Sequence, residues 1–328
     1  MLEECDIRSR DGWENEFEQM GFIVLLVAQT TAGVARVDGD RYAVLDVGTA
    51  TLADVVRAGA LTRLAHAPVI ATLDRDEVAL RAPIADPGKL IVVGLNYREH
   101  AAEIGAELPR SPRVHFTSPS SVAGPADDIP LPGIAGSSVD FEGEVAVVIG
   151  ATASAVPAGQ AWSYLAGLTV ADDLTARDVQ AGSNPSIAGP NVGLAKGFDG
   201  FTPLGPALLT ADDARARHAL ALRTLVDGEL RQQSSTAEMH FSIAELVSRI
   251  SRYTTLRPGD VILTGTPGGV GMGSGRFLRA GQLVEVQLEG VGTLRNRVTG
   301  TADPKYHEGK NHEQPHGDRE HLPASRRG

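Results

Sequence analysis

Between Lys89 and about Thr299 the chain breaks into short apolar runs separated by glycine and proline, and only one stretch keeps a helical period. That stretch is Ser242–Tyr253, with Ile243, Leu246, Val247 and Ile250 on one face. Glycine and proline occur 37 and 19 times. Both residues end regular elements and shape turns, so a chain punctuated in this way closes a core with many short strands. The expected class is α+β, mostly β. At 328 residues the chain can bury a large core, as one large domain or one large plus one small.

Four segments follow from composition. Residues 1–20 are polar and charged and read as a loose arm, with Trp13 read as packing. Residues 21–88 read as a small N-terminal β-rich domain: Ile23–Gln29, Gly33–Val37 and Tyr42–Val47 are strand-like, and Asp38-Gly39-Asp40 is a hairpin turn. A helix is predicted from Thr51, its N-cap, to about Leu61. Residues 89–301 read as the large core domain. Residues 302–328 carry no apolar period and read as a disordered tail, whose histidines His307, His312, His316 and His321 are expected to be solvated.

Several classes of function are excluded. A formal net charge of −11, with no basic patch, argues against a nucleic-acid partner. The apolar run Phe22–Ala28 is too short to cross a bilayer, and Met1-Leu2-Glu3-Glu4 lacks the basic start of a secretory signal. The single cysteine, Cys5, precludes an internal disulfide and fits a reducing, cytoplasmic compartment.

Chemistry concentrates in Val139-Asp140-Phe141-Glu142-Gly143-Glu144-Val145-Ala146-Val147-Val148-Ile149, predicted to be one strand. Alternate residues of a strand share a face, roughly 6.5–7 Å apart. Glu142 and Glu144 then point into one space, which a hard divalent cation would neutralise. A solvated edge strand fits the same pattern. Asp172-Asp173 follows the apolar strand Tyr164–Val170 at a strand-to-helix junction, where one Asp can cap the helix and the other can join the two glutamates. Arg177 and Gln180 lie four and seven residues beyond Asp173, on one helix face that could hold a carboxylate.

His100 and Glu103 are i, i+3 neighbours on a helical turn starting near Tyr97, after the strand Leu90–Val93. A carboxylate on one imidazole nitrogen leaves the other free to take a proton. A solvated surface pair has the same spacing. Lys196 interrupts a glycine-rich apolar context, and Leu263-Thr264-Gly265-Thr266-Pro267-Gly268-Gly269 is a glycine-rich loop without the lysine of a phosphate loop. Its backbone and the Thr266 hydroxyl are expected to approach a small anionic ligand.

The order of these blocks resembles the fumarylacetoacetate hydrolase family from about Lys89 to Val298. The matching blocks are Gly94-Leu95-Asn96-Tyr97 with His100 and Glu103, Asp140-Phe141-Glu142-Gly143-Glu144, Asp173 to Gln180, Lys196-Gly197-Phe198, Gly205-Pro206, and Gly259 to Pro267. The resemblance makes residues 89–301 the catalytic core and implies a mixed β-sandwich roll, commonly a homodimer, with a divalent ion at the sheet edge. It places Glu142, Glu144 and Asp173 at metal-ligand positions and His100 and Glu103 at a catalytic dyad. Lys196, Arg177, Gln180 and Thr266 fall at substrate-contact positions. Two departures remove a cation near the site: Ser118 stands where many relatives carry Lys, and Leu95 where acylpyruvase relatives often carry Arg.

The expected reaction is metal-dependent cleavage of a C–C bond in a 2-oxo acid or 1,3-diketone. Mg²⁺ or Mn²⁺ (Ca²⁺ as a substitute) would polarise the substrate, His100 would activate water, and Lys196 would help to stabilise an enolate. The alternatives are an oxaloacetate-type decarboxylase or 2-hydroxydienoate isomerase on the same site, and a non-catalytic or cyclase-like diketone binder.

Overall fold

The computed structural model describes residues 25–302 except Gly136 and His218; the arm with Cys5 and Trp13, and the tail with its histidines, lie outside the described residues. Strands β1 (Leu26–Thr30), β2 (Gly33–Asp38), β3 (Arg41–Leu45), β4 (Val69–Asp74) and β5 (Leu80–Arg81) open the fold. The turn at Asp38-Gly39-Asp40 joins β2 to β3 as expected, with Gly39 at φ +56°. Helix α1 (Leu52–Arg57) starts at Thr51, whose hydroxyl accepts the Asp54 N–H while the Asp54 carboxylate accepts the Thr51 N–H. It is shorter than predicted, because Gly59 turns the chain at φ +63°.

The chain continues through β6 (Leu90–Gly94), α2 (Arg98–Glu103), β7 (Arg113–Thr117), β8 (Val122–Ala123), β9 (Ile129–Pro132), β10 (Val139–Asp140), β11 (Gly143–Ile149) and β12 (Leu165–Asp172). Next come β13 (Thr175–Ala176), α3 (Arg177–Ala181), α4 (Val192–Ala195), β14 (Thr202–Thr210) and α5 (Ala211–Ala216). The last elements are β15 (Ala221–Val226), β16 (Glu229–Ser235), α6 (Ile243–Ile250), β17 (Val261–Leu263), α7 (Gly271–Ser274), β18 (Leu283–Leu288) and β19 (Gly292–Ala302). Helix α6 stops short of Tyr253, which is 64% exposed and offers no apolar face to bury. The class is α+β and dominated by sheet, as the punctuation of the sequence requires.

Two sheets face each other. The larger runs β4-β3-β2-β1-β14-β12-β11-β17-β6-β7, with β5 on β1 and β8 on β14; the smaller runs β16-β15-β18-β19-β9. Strand β11 is central and buried on both faces, which explains its continuous apolar run. Val145, Val147 and Ile149 join the core shared with Val286 and Leu294 of the smaller sheet. Ala146 and Val148 point the other way, into a second core closed by Leu52, Val55 and Val56 of α1. The N-terminal meander is hydrogen-bonded to the rest through β1 and β14, with Leu26 opposite Leu209.

One expected strand is two. β10 and β11 are separated at Phe141-Glu142, where the Glu142 N–H donates to the side-chain carboxylate of Asp172 (2.8 Å) and not to a strand carbonyl. Neither Asp172 nor Asp173 caps the helix, the role expected of one of them; the N-cap of α3 is Ala176, with no side-chain cap.

Candidate active site

Three carboxylates meet where β11 begins and β12 ends. Glu142 sits in the break before β11, Glu144 is its second residue, and Asp173 follows the last residue of β12. The antiparallel register sets Gly143 opposite Asp172, so the two chain ends emerge side by side. The Asp173 N–H donates to the Glu142 carbonyl (2.8 Å) and fixes the third acid beside the first. One oxygen from each of Glu142, Glu144 and Asp173 lies within 4.8 Å of the others, and all three side chains are buried.

Charge balance at this junction is uneven. Asp140, Glu142, Glu144, Asp172 and Asp173 are buried against only two buried cations, Arg177 and Lys196. The Lys196 ammonium, delivered by the residue after α4, donates to Asp173 Oδ2 (2.5 Å), Glu142 Oε2 (2.7 Å) and the Thr175 hydroxyl (2.7 Å). Burial alone would raise the Glu142 carboxyl, yet Lys196 and Arg177 outweigh it and draw the pKa down to about 2. Burial pushes Asp173 up to about 6 against the pull of Lys196. Burial, reinforced by Asp173 and Glu142, raises Glu144 well above the carboxylate range.

A hard divalent cation fits this donor set. Asp173 Oδ1 is buried without a hydrogen-bond partner, and three carboxylate oxygens lie within 4.8 Å of one another with more negative charge than Arg177 and Lys196 neutralise. Oxygen donors of this kind suit Mg²⁺ or Mn²⁺ over softer ions.

The His–Glu pair forms as the spacing predicts, with His100 Nδ1 3.2 Å from Glu103 Oε2 on α2. Glu103 also accepts the Gly269 N–H at 3.1 and 3.2 Å, so the glycine-rich loop after β17 holds the carboxylate from behind. The approach to α2 is pinned by Asn96, which donates to the carbonyls of Phe241 (3.0 Å) and Thr264 (2.8 Å) and accepts the Phe241 N–H (2.7 Å). Leu95 turns the chain at φ +52°, an uncommon conformation for a bulky residue. It is buried. His100 is 6% exposed.

The expected substrate contacts are engaged within the protein. Arg177 donates through Nε to Asp140 (2.8 Å) and through Nη1 to Gln180 (3.0 Å), and its Nη2 lies 2.7 Å from Glu142 Oε1. The Thr266 hydroxyl donates to the Gly143 carbonyl (3.0 Å). Ser118 lies beside the Lys196 segment, where a Cβ on Gly197 would be 3.5 Å from its own. Its hydroxyl is 2.6 Å from that of Ser120.

Three supporting residues escaped the sequence reading as site residues. Asp140 also accepts the N–H groups of Gly271 (2.7 Å) and Met272 (2.9 Å) and so ties α7 to Arg177. Asp172 accepts the Glu142 N–H at the strand break. Gln232 comes from the smaller sheet. Asp140 could have been suspected from the acidic run, whereas Gln232 has no local signal because its partners are remote in sequence.

The model of the fumarylacetoacetate (FAA) hydrolase C-terminal domain matches residues 89–299. The chain belongs to the fumarylacetoacetate hydrolase family. A mitochondrial oxaloacetate tautomerase of Bos taurus is 42% identical over 256 residues, 77% of this chain and 78% of that protein. An oxaloacetate tautomerase of Bacillus subtilis is 39% identical over 227 residues, 68% and 73% of the two chains. The crystal structure of a 2-hydroxyhepta-2,4-diene-1,7-dioate isomerase from Mycobacterium marinum superposes with a TM-score of 0.68 at 30% identity, covering 85% of this chain and 99% of that one. These family members are enzymes named for tautomer and isomer interconversion. In the chain described here, no helix among the described residues is long and apolar enough to cross a membrane.

Proposed function

We propose that this family member interconverts tautomers of a small 2-oxo acid, of the oxaloacetate or 2-hydroxydienoate class, at a cation held by Glu142, Glu144 and Asp173. The observation that carries the reading is a buried His100, hydrogen-bonded to Glu103, beside a carboxylate cluster with surplus negative charge. A bound Mg²⁺ or Mn²⁺ would supply a Lewis acid to the adjacent oxygens of the oxo acid. His100, oriented by Glu103 through Nδ1, takes a proton from the carbon next to the carbonyl through Nε2. The C–H electron pair becomes the C=C bond of the enol, and the carbonyl oxygen gains a proton, so the conversion is redox-neutral and needs no co-reactant. Burial of the His100 ring limits exchange of that proton with bulk water. Lys196 and Arg177 keep Glu142 ionised for its ligand role.

Hydrolysis of a C–C bond in an acylpyruvate or 1,3-diketone is the second reading, favoured by the same dyad, because a base that takes a proton from carbon can also take one from water. The kinship with tautomerases and an isomerase puts proton transfer first. A diketone-binding protein without catalysis would have no use for an oriented His–Glu pair. A homodimer is part of the proposal and rests on the family resemblance.

The test follows enol absorbance of oxaloacetate with Mg²⁺, alongside a panel of acylpyruvates. Wild type should accelerate enol–keto conversion, and His100→Ala should lose about 10²–10⁴-fold, the usual contribution of a general base. Equal rates for the two proteins would show that the dyad is misassigned, and turnover of acylpyruvates alone would move hydrolysis to first place.

A further inference from the structure

Strand β17 pairs with β11 only over Ala146–Val148, then leaves as the glycine-rich loop. The Gly143 backbone consequently lacks a strand on that side, and side chains take over its hydrogen bonds. The Gly143 N–H donates to Gln232 Oε1 (3.0 Å), while the Glu142 N–H turns the other way, to the Asp172 carboxylate of β12 (2.8 Å). The Gly143 carbonyl accepts the Thr266 hydroxyl (3.0 Å). Gln232 Nε2 closes the ring by donating to Thr266 Oγ1 (2.7 Å) and to the Pro267 carbonyl (2.9 Å).

The chemistry of the partners fixes every direction in this ring. Gly143 N–H can only donate and the Pro267 carbonyl can only accept, so the Gln232 amide has one possible orientation. Nε2 then donates to Thr266 Oγ1, which sends the threonine proton to the Gly143 carbonyl. Thr266 therefore has no proton left to offer a ligand, contrary to its expected donor role toward an anion. Space enforces the same contact. Gln232 is 1% exposed and sits beside Thr224 in the register of β15 and β16. A Cβ on Gly143 would stand 2.1 Å from Thr224 Oγ1 and 3.3 Å from Gln232 Oε1, so only glycine lets the smaller sheet approach this closely.

We infer that Gln232 is a positioning residue for the candidate active site. From the opposite sheet it holds the backbone between Glu142 and Glu144 and makes Thr266 an acceptor. Its effect on cation binding rests on the reading of Glu142, Glu144 and Asp173 as a cation site. Residues that orient metal ligands from outside the coordination sphere typically change affinity by about 10–100-fold when removed.

The experiment uses the full chain and Mn²⁺ alone as probe, with calorimetric affinity and amide hydrogen exchange of the cation-free protein as separate readouts. Gln232→Leu should bind Mn²⁺ about 10–100-fold more weakly. Exchange at Gly143 should speed by about tenfold or more while Val147, deeper in the same strand, stays protected. Gln232→Glu keeps the acceptor for Gly143 N–H but, when ionised, cannot donate to Thr266 or Pro267. It should preserve Gly143 protection and still weaken Mn²⁺, and it carries the test where Gln232→Leu does not fold. Thr266→Val should weaken Mn²⁺ as well, and in the double variant Gln232→Glu/Thr266→Val the two losses should not add, since both cut one ring. Wild-type Mn²⁺ affinity in both Gln232 variants, with unchanged Gly143 exchange in a folded Gln232→Leu, overturns the inference. A wild-type chain that binds no Mn²⁺ overturns the cation reading instead, and the positioning role is then decided by Gly143 exchange alone.

Discussion

Glu142 shows how one residue serves structure and chemistry at once. Its carboxylate meets Lys196 and Arg177, its N–H meets Asp172, and its carbonyl accepts from Asp173. Removing the side chain in Glu142→Ala takes away one of three acidic ligands and should abolish measurable Mn²⁺ binding in a calorimetric titration; unchanged affinity would sink the assignment. The same cluster sets a pH dependence. Burial raises Asp172 to about 7 and Asp173 to about 6. A carboxyl raised in the folded state stabilises the protein fully below its unfolded value, and that stability is lost as pH rises through the folded value. Without a divalent cation the protein should therefore melt at a lower temperature near pH 8 than near pH 5, most of the change falling between about 5 and 7. Cation binding needs the ionised acids, so added Mg²⁺ should raise the melting temperature more at the alkaline end. A melting temperature that climbs with pH in the presence of a chelator would contradict the burial-driven shifts.

Among the elements, β11 carries the main lesson about what a sequence discloses. Its apolar half was legible because burial on both faces selects a continuous β-branched run, and its acids were legible because alternation puts Glu142 and Glu144 together. The break at Phe141-Glu142 was not, since the Asp172 carboxylate that accepts the Glu142 N–H there lies thirty positions away. The His100–Glu103 spacing survived intact because a single helical turn fixes it locally. Arg177 and Thr266 were placed at the site but with free donors, and the structure engages those donors with Asp140 and Gly143. Local spacing shows which side chains gather; it does not show which of them satisfy one another. Gly143→Ala tests the packing of this element. With Thr224 Oγ1 only 2.1 Å from the new Cβ, the sheets must separate or β11 must shift. A stability loss of about 1–3 kcal/mol by urea denaturation is expected from such overpacking, together with weakened Mn²⁺ binding. A fully stable Gly143→Ala would mean that the two sheets are not in contact there.

For the whole molecule, the two ends of the chain should behave differently. The residues after Thr301 are rich in His, Glu, Lys and Gly and hold few apolar side chains. Truncation after Thr301 should leave Mn²⁺ affinity, oligomeric state and turnover unchanged, because the three acidic ligands all come from the core. Deleting residues 1–87 removes β1 from the edge of β14, where Leu26 and Val27 pair with Leu209 and Leu208. It also strips Leu52, Val55 and Val56 from the face formed by Ala146, Val148 and Leu208. The remaining sheet would present an unpaired edge and an exposed apolar face, both of which invite association. The deleted protein should aggregate or melt at a markedly lower temperature, with Glu142, Glu144 and Asp173 still in the chain. Light scattering and thermal denaturation of the two truncations check the contrast: a soluble, fully stable core lacking residues 1–87 would show that the meander is dispensable, and loss of Mn²⁺ binding on removing the tail would show that the three carboxylates do not suffice as a site.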